Sequence, residues 1–297
     1  MIEIPAKLLR NHSKTRPEWL AGLPATAARY LDEWRLTVDG EPMSGEASLI
    51  LPVARHDGTP AMLKLQLIDE ESADEALALR TWNRDDVVEV YDDDPETATL
   101  LLERLEPQTL EDLPDHVEAT RILAEILTHL MVVPAPPGIR TLADLANQMV
   151  ADARGLLPAA LTDPDERRVA ERCLALTADV LGEPGDRLLH WDLHYLNVMA
   201  GHRKPWLVID PKPLAGDPAF DLFPVLWNRW DDLVATGDIH QAIRDRYDLM
   251  LDVTGIDRHR ADHWTAARVL QQIIWSTEDG GTRLDPELVA VAMTLFS

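Results

Sequence analysis

Apolar residues three and four apart run through residues 16–35, RPEWLAGLPATAARYLDEWR, and predict an amphipathic helix. The pattern then shortens. LTVDGEPMSGEASLILPVARHDGTPAMLKLQLI consists of brief β-rich runs between glycine-containing turns, which predicts a hairpin and a further strand. EESADEALALRTWN returns to helical spacing, and VVEVYDDDPETATLLLERL predicts two strands joined by an acidic turn. From Thr109 the character changes: LEDLPDHVEATRILAEILTHLM, LADLANQMVADARGLL, DERRVAERCLALTADVLG, VLWNRWDDLVAT, IHQAIRDRYDLMLDVTG and the last forty residues all carry helical periodicity. The expectation is an α+β chain with a β-rich region over 1–103, a hinge over 104–108 and a helical region over 109–297. Such a pairing forms a cleft, where small ligands bind.

Composition narrows the partners. At 297 residues the chain can bury a large core, and 52 acidic against 28 basic residues give a formal charge of −24. That charge argues against nucleic acid or an anionic membrane as partner, permits a cationic ligand, and serves solubility in any case. Cys173 is the one cysteine, so neither a disulfide framework nor a thiolate zinc site is expected. MIEIPAKLLRNHSKTRPEW lacks a signal-peptide core and no apolar run reaches about 18 residues, which together predict a soluble, cytoplasmic protein.

The candidate chemistry is concentrated in DRLLHWDLHYLNVMAGHRKPWLVID, residues 186–210. Residues 190–197 read H-x-D-x-x-x-x-N, the spacing of a kinase catalytic loop, and the strand-like WLVI delivers Asp210 where a kinase places its metal-binding acid. Phosphoryl transfer needs Mg²⁺ on the nucleotide phosphates, for which Asn197 and Asp210 offer oxygen ligands. Asp192 then orients or deprotonates the attacking hydroxyl, and His190 braces the loop. A rival reading is a metallohydrolase: on a strand, His190, Asp192 and His194 would alternate onto one face and could hold zinc. Another is a kinase fold that binds a ligand without turnover, although Asp192, Asn197, Asp210 and Lys64 are all in place. The turn AGHRKP, with His202 and Arg203, is expected to face water, and Trp227, Trp230, Trp264 and Trp275 fall in helical patterns expected to build core or cleft wall.

HWDLHYLNVM followed by IDPKPLAGDPAFDL resembles the aminoglycoside phosphotransferase family, in particular its streptomycin 6-kinase and hydroxyurea phosphotransferase branch. RPEWLAGLPATAARYLDEWRLTVDG, LLLERLEP and DPAFDLFPVLWNRWDDLVATGD extend the resemblance over nearly the whole chain. It implies a protein-kinase-like bilobal fold that transfers a phosphoryl group from ATP or GTP, with Mg²⁺, to a small-molecule hydroxyl, and a role in antibiotic resistance. On that resemblance Lys64 in AMLKLQ reaches the nucleotide phosphates, Glu75, or Glu71 in second place, holds it by an ion pair, and the main chain of Glu103, Arg104 and Leu105 meets the purine. The turn with Ser44, Gly45 and Ser48 lies where a phosphate-covering loop belongs. Trp191 departs from the arginine of the protein-kinase H-R-D, Pro211-Lys212 from the Phe-Gly after the metal-binding acid, and no A-P-E follows, so the pattern resembles a small-molecule kinase without an activation loop. A guanidinium-bearing acceptor such as streptomycin would suit Asp217, Asp221, Asp231, Asp232, Glu278 and Asp279, chosen by charge and by position after the loop. Asp217 could equally cap a helix that begins at Pro218.

Overall fold

In the computed structural model, which describes residues 2–296, the alternating stretch becomes a six-stranded antiparallel sheet preceded by two helices. These are α1 (Ala6–His12), α2 (Pro17–Glu33), β1 (Thr37–Val38), β2 (Met43–Ser44), β3 (Ser48–Ala54) and β4 (Pro60–Gln66), followed by α3 (Glu75–Trp82), β5 (Val90–Asp94) and β6 (Thr99–Glu103). The strand order is β1-β3-β4-β6-β5, with β2 also paired to β3. Period two decides the faces. Leu49, Leu51 and Val53 of β3 and Ala61, Leu63 and Leu65 of β4 share one buried core with Leu8, Leu20, Leu23, Ala27 and Tyr30 of the helices. Lys64 therefore points to the opposite face of β4. The short α1 has no counterpart among the sequence expectations, because AKLLRNH spans too few turns to display a period, yet Leu8 is fully buried.

The remaining elements are mainly helical: α4 (His116–Leu130), α5 (Leu142–Ala160), α6 (Pro164–Asp179), β7 (Arg187–Leu189), a hairpin of β8 (Val198–Ala200) and β9 (Trp206–Val208), β10 (Leu214–Gly216), α7 (Phe223–Trp227), α8 (Trp230–Ala235), α9 (Ile239–Thr254), α10 (Arg258–Glu278) and α11 (Pro286–Leu295). Helix α10 is the central packing element, with Trp264, Ala266, Ala267, Val269, Leu270 and Ile273 fully buried. Part of the acidic surplus has a local use. Asp115, Asp163, Asp238, Asp257 and Asp285 each accept a first-turn N–H as helix N-caps, which contributes about 1 kcal/mol apiece.

Three expectations change. The single helix expected over VLWNRWDDLVAT breaks at Asn228–Arg229, where Arg229 adopts φ +54°. Its guanidinium donates to the carbonyls of Leu110 and Leu113 (3.1 and 2.9 Å) and to Asp232 (2.5 Å), and these bonds hold a conformation that costs a non-glycine residue about 1–2 kcal/mol. The chain also does not divide at a single point. One compact unit takes residues up to Pro107 together with Met199–Ile209, and the other takes Gln108–Val198 and everything from Asp210. The reason lies in backbone bonding: Val88 N–H donates to Val208 O, Val208 N–H to Asp86 O and Glu106 N–H to Ala200 O, all at 2.9 Å. Arg203, expected in water, instead donates to the carbonyls of Asp85 and Val87 and pairs with Glu103 at 2.9 Å. Among the described residues no helix is long and apolar enough to cross a membrane.

Candidate active site

β7 ends at Leu189, and the chain leaves it through His190, fully buried, and Trp191, at φ +64° and 4% exposed. A left-handed tryptophan persists only where its surroundings over-determine it. Here Asp221 accepts the backbone N–H of both His190 (2.9 Å) and Trp191 (2.6 Å). The Trp191 indole N–H reaches Gln271, Arg268 donates to Trp191 O at 3.3 Å, and the guanidiniums of Arg140 and Arg268 lie over its ring at 4.8 and 5.8 Å. This framework aims Asp192 outward, its side chain 38% exposed. Burial raises the Asp192 carboxyl, but His194, His190 and Arg268 pull it the other way, and it ends below the usual carboxylate range. Asp192 is therefore ionised at neutral pH and ready to accept a hydrogen bond from a hydroxyl.

Downstream, the turn Tyr195–Asn197 brings Asn197 back to Asp192, with Nδ2 donating to Asp192 O at 2.9 Å. That contact orients the amide so that its carbonyl oxygen, the atom a hard cation takes, faces away from Asp192. Asp210 has φ +56° and lies 3.8 Å from the Lys212 ammonium. Asn197 and Asp210 each carry oxygen donors, the ligand chemistry that suits Mg²⁺, a cation that keeps waters and phosphates as its other ligands. Among the described residues no group of three or more His, Cys, Asp or Glu is placed to hold a metal. The zinc reading also loses its geometric basis. Residues 190–194 lie beyond the strand and include a left-handed residue, so the alternation it relied on does not exist.

In the other unit, the carboxylate that holds Lys64 is Glu75: Nζ to Oε2 is 2.6 Å, with both side chains buried. The turn with Ser44, Gly45 and Ser48 closes through Gly45 N–H to Ser48 O (3.0 Å). A Cβ at Gly45 would stand 2.6 Å from Ser48 Oγ, so a side chain there would require the Ser48 hydroxyl to turn away. Unforeseen from sequence, α1 grips this turn through Glu46: Lys7 pairs with its carboxylate, Asn11 donates to it at 3.3 Å, and His12 Nε2–H donates to its carbonyl at 2.8 Å. Arg104 turns its side chain back onto the sheet, donating to Ala61 O and Val53 O, while the Glu103 carboxylate is taken by Arg203; Leu105 is half-buried.

The six acids chosen for an acceptor separate by environment. Asp221 is fully buried beneath the catalytic loop and cannot meet a substrate, and burial pushes its carboxyl up to about 6. Asp217 caps the turn that starts at Pro218, accepting Ala219 N–H at 2.9 Å, and binds Arg260 at 2.6 Å, so it too is structural. Glu278 and Asp279 are exposed at the end of α10. Asp231 and Asp232, in contrast, line a cavity of about 320 Å³ with Glu111, Arg229 and Trp230. Arg229 also lies over the ring of Tyr195 (5.5 Å), which places this cavity beside the catalytic loop. Asp232 is partly neutralised by Arg229; Asp231 is exposed. Glu111, not anticipated, is held above its usual range by burial and by Asp232 and Asp112, against the pull of Arg229 and His194. Of the four tryptophans assigned to core or wall, Trp264 is fully buried, Trp227 packs edge-on against Phe223, Trp230 lines the cavity, and Trp275 is 40% exposed.

Comparison with known proteins accords with this architecture. Residues 33–280 match the family described as aminoglycoside/hydroxyurea antibiotic resistance kinase. The chain is 49% identical to a streptomycin 6-kinase of Streptomyces glaucescens, covering 99% of this chain and 97% of that one. It is 45% identical to a hydroxyurea phosphotransferase of Kitasatospora aureofaciens, covering 100% and 86%. The crystal structure of the aminoglycoside phosphotransferase APH(4)-Ia superposes with a TM-score of 0.60 at 18% identity over 92% of this chain and 96% of that one, a likeness of fold. The chain belongs to the aminoglycoside/hydroxyurea antibiotic resistance kinase family.

Proposed function

We propose that this kinase transfers the γ-phosphoryl group of ATP or GTP to a hydroxyl of streptomycin or a similar guanidinium-bearing aminoglycoside, and so confers resistance. The observation that carries the acceptor is the 49% identity, over nearly both full lengths, to a streptomycin 6-kinase. The cavity beside the catalytic loop supports it: Glu111 and Asp231 offer carboxylates for bidentate guanidinium contacts, and Trp230 offers an aromatic wall. In this reading Asp192 orients the acceptor hydroxyl and takes its proton late, as suits a low-basicity carboxylate and a loose transition state. Lys64, fixed by Glu75, binds nucleotide phosphate, and the main chain of residues 103–105 meets the base. Asn197 and Asp210 would hold Mg²⁺, which supplies neutralisation of the charge on the transferring phosphoryl group.

The test is incubation with Mg-ATP or Mg-GTP and a panel of streptomycin, other aminoglycosides and hydroxyurea, with products identified by mass spectrometry. Phosphorylated streptomycin is the expected product. Hydroxyurea is the second reading, favoured by the 45% identical relative, and its phosphorylation without that of streptomycin would replace the first. Glu111→Gln and Asp231→Asn are each expected to raise the streptomycin KM about tenfold with the nucleotide KM unchanged, the loss of one charge-assisted contact. An unchanged acceptor KM in both would move the acceptor site away from this cavity.

A further inference from the structure

His194 is the one residue of the H-x-D-x-H segment that the phosphoryl-transfer reading leaves without a role. It opens the turn Tyr195–Asn197 as its N-cap, and Leu196 N–H donates to His194 Nδ1 at 3.2 Å. A ring nitrogen that accepts a hydrogen bond carries no proton, so in the neutral imidazole the proton sits on Nε2. Nε2 lies 3.6 Å from Asp192 Oδ2, Asn197 Nδ2 lies 3.4 Å from the same oxygen, and the two nitrogens lie 3.3 Å apart, so with the proton on Nε2 they stand side by side as donors rather than bonding each other. Two N–H donors from one short turn thus converge on Oδ2. Both separations are long for hydrogen bonds, as is common around catalytic groups before substrate binds, and both can shorten with a small rotation of the carboxylate. The imidazole is itself largely enclosed, with its side chain 16% exposed and Nδ1 engaged.

We infer that His194 is a positioning residue for Asp192: its Nε2–H fixes Oδ2 and leaves Oδ1 for the acceptor hydroxyl. The inference rests on the proposed phosphoryl transfer for its kinetic consequence and on geometry alone for the contact. The two jobs of the ring, capping through Nδ1 and holding Asp192 through Nε2, can be separated by substitution. Asparagine reaches the Nδ1 position and can accept Leu196 N–H, whereas the longer glutamine carries an N–H to the Nε2 position.

Steady-state kinetics and thermal unfolding of His194→Ala, His194→Asn and His194→Gln test the assignment. His194→Ala is expected to lower kcat about 50-fold, the scale of a misplaced reacting group, with nucleotide and acceptor KM changed by less than about threefold. His194→Gln should recover most of that loss despite a lowered Tm, and His194→Asn should recover Tm while kcat stays as low as in His194→Ala. The opposite split, with asparagine restoring kcat and glutamine not, would reduce His194 to a cap and overturn the inference; so would a raised acceptor KM at unchanged kcat. Imidazole ¹⁵N spectra of the wild type provide a readout without turnover: the Nε2–H tautomer is expected, with an Nε2 shift that moves in Asp192→Asn. If the wild type phosphorylates no acceptor, the functional reading falls, and the spectra still decide His194: an Nδ1–H tautomer, or an Nε2 shift indifferent to Asp192→Asn, removes the contact.

Discussion

Replacing Asp192 with alanine is expected to lower kcat on the order of 10³-fold while leaving nucleotide affinity within about threefold of the wild type. The split follows from position. Asp192 is a partly exposed carboxylate with an ionised oxygen to offer an acceptor hydroxyl, and its surroundings, His194, His190 and Arg268, keep it charged. None of that bears on nucleotide phosphate. Asp210→Ala, by contrast, removes a carboxylate suited to the cation that nucleotide phosphates bring with them, so nucleotide affinity in Mg²⁺ and turnover should fall together. Titration of nucleotide binding alongside single-turnover transfer distinguishes the two. Equal activity of Asp192→Ala and the wild type would remove the residue from the reaction.

The second large effect concerns Asp221. Its two oxygens accept the buried N–H groups of His190 and Trp191, so Asp221→Ala strands two donors at about 1–3 kcal/mol each and releases the left-handed Trp191. A loss of about 3 kcal/mol in unfolding free energy and of more than tenfold in kcat is expected. The pH dependence has a defined sign. Burial raises the Asp221 carboxyl from its ordinary 3.8 to about 6, so the folded state holds this proton more tightly than the unfolded chain. The stability it contributes is complete below pH ~4 and is lost as pH rises through about 6, a change of about 3 kcal/mol. Urea unfolding of the wild type and Asp221→Asn at both ends of that window reads the difference directly. The wild type should lose stability relative to Asp221→Asn on going from the acid to the neutral end, and a constant difference would mean that Asp221 does not titrate there.

Much of the fold was legible because its signals are local. Period two in residues 48–66 set the buried face of the sheet and turned Lys64 away from it, and period 3.6 marked the long helices. The ordered motif from His190 to Asp210 was legible for a related reason: a catalytic loop carries its chemistry in one continuous stretch. The acceptor acids were not. Asp221 and Asp231 are alike as sequence, and only their tertiary partners make the one a brace for two buried N–H groups and the other a free carboxylate on a cavity wall; the cap at Asp217 could be read locally from Pro218, but its bond to Arg260 could not. Glu111 sits about eighty residues before the loop it flanks, in a three-residue turn too short to display any periodicity. The break at Arg229 was invisible because the apolar spacing runs through it unbroken. What stops the helix is a guanidinium bonded to carbonyls of a distant turn.

The interleaving of the two units has a practical outcome for anyone who would cut this chain. A fragment ending at Pro107 would have the whole six-stranded sheet but would lack Met199–Ile209, leaving the amides of Val88 and Glu106 without the acceptors Val208 O and Ala200 O. Such a fragment should express poorly or exchange its Val88 and Glu106 amides rapidly. In the intact protein, amide exchange of residues 199–209 should track that of the sheet rather than that of their sequence neighbours in β7 and β10. Any excision of the sheet as an independent module must therefore carry the hairpin with it, by a fusion that returns the chain from residue 107 to residue 199.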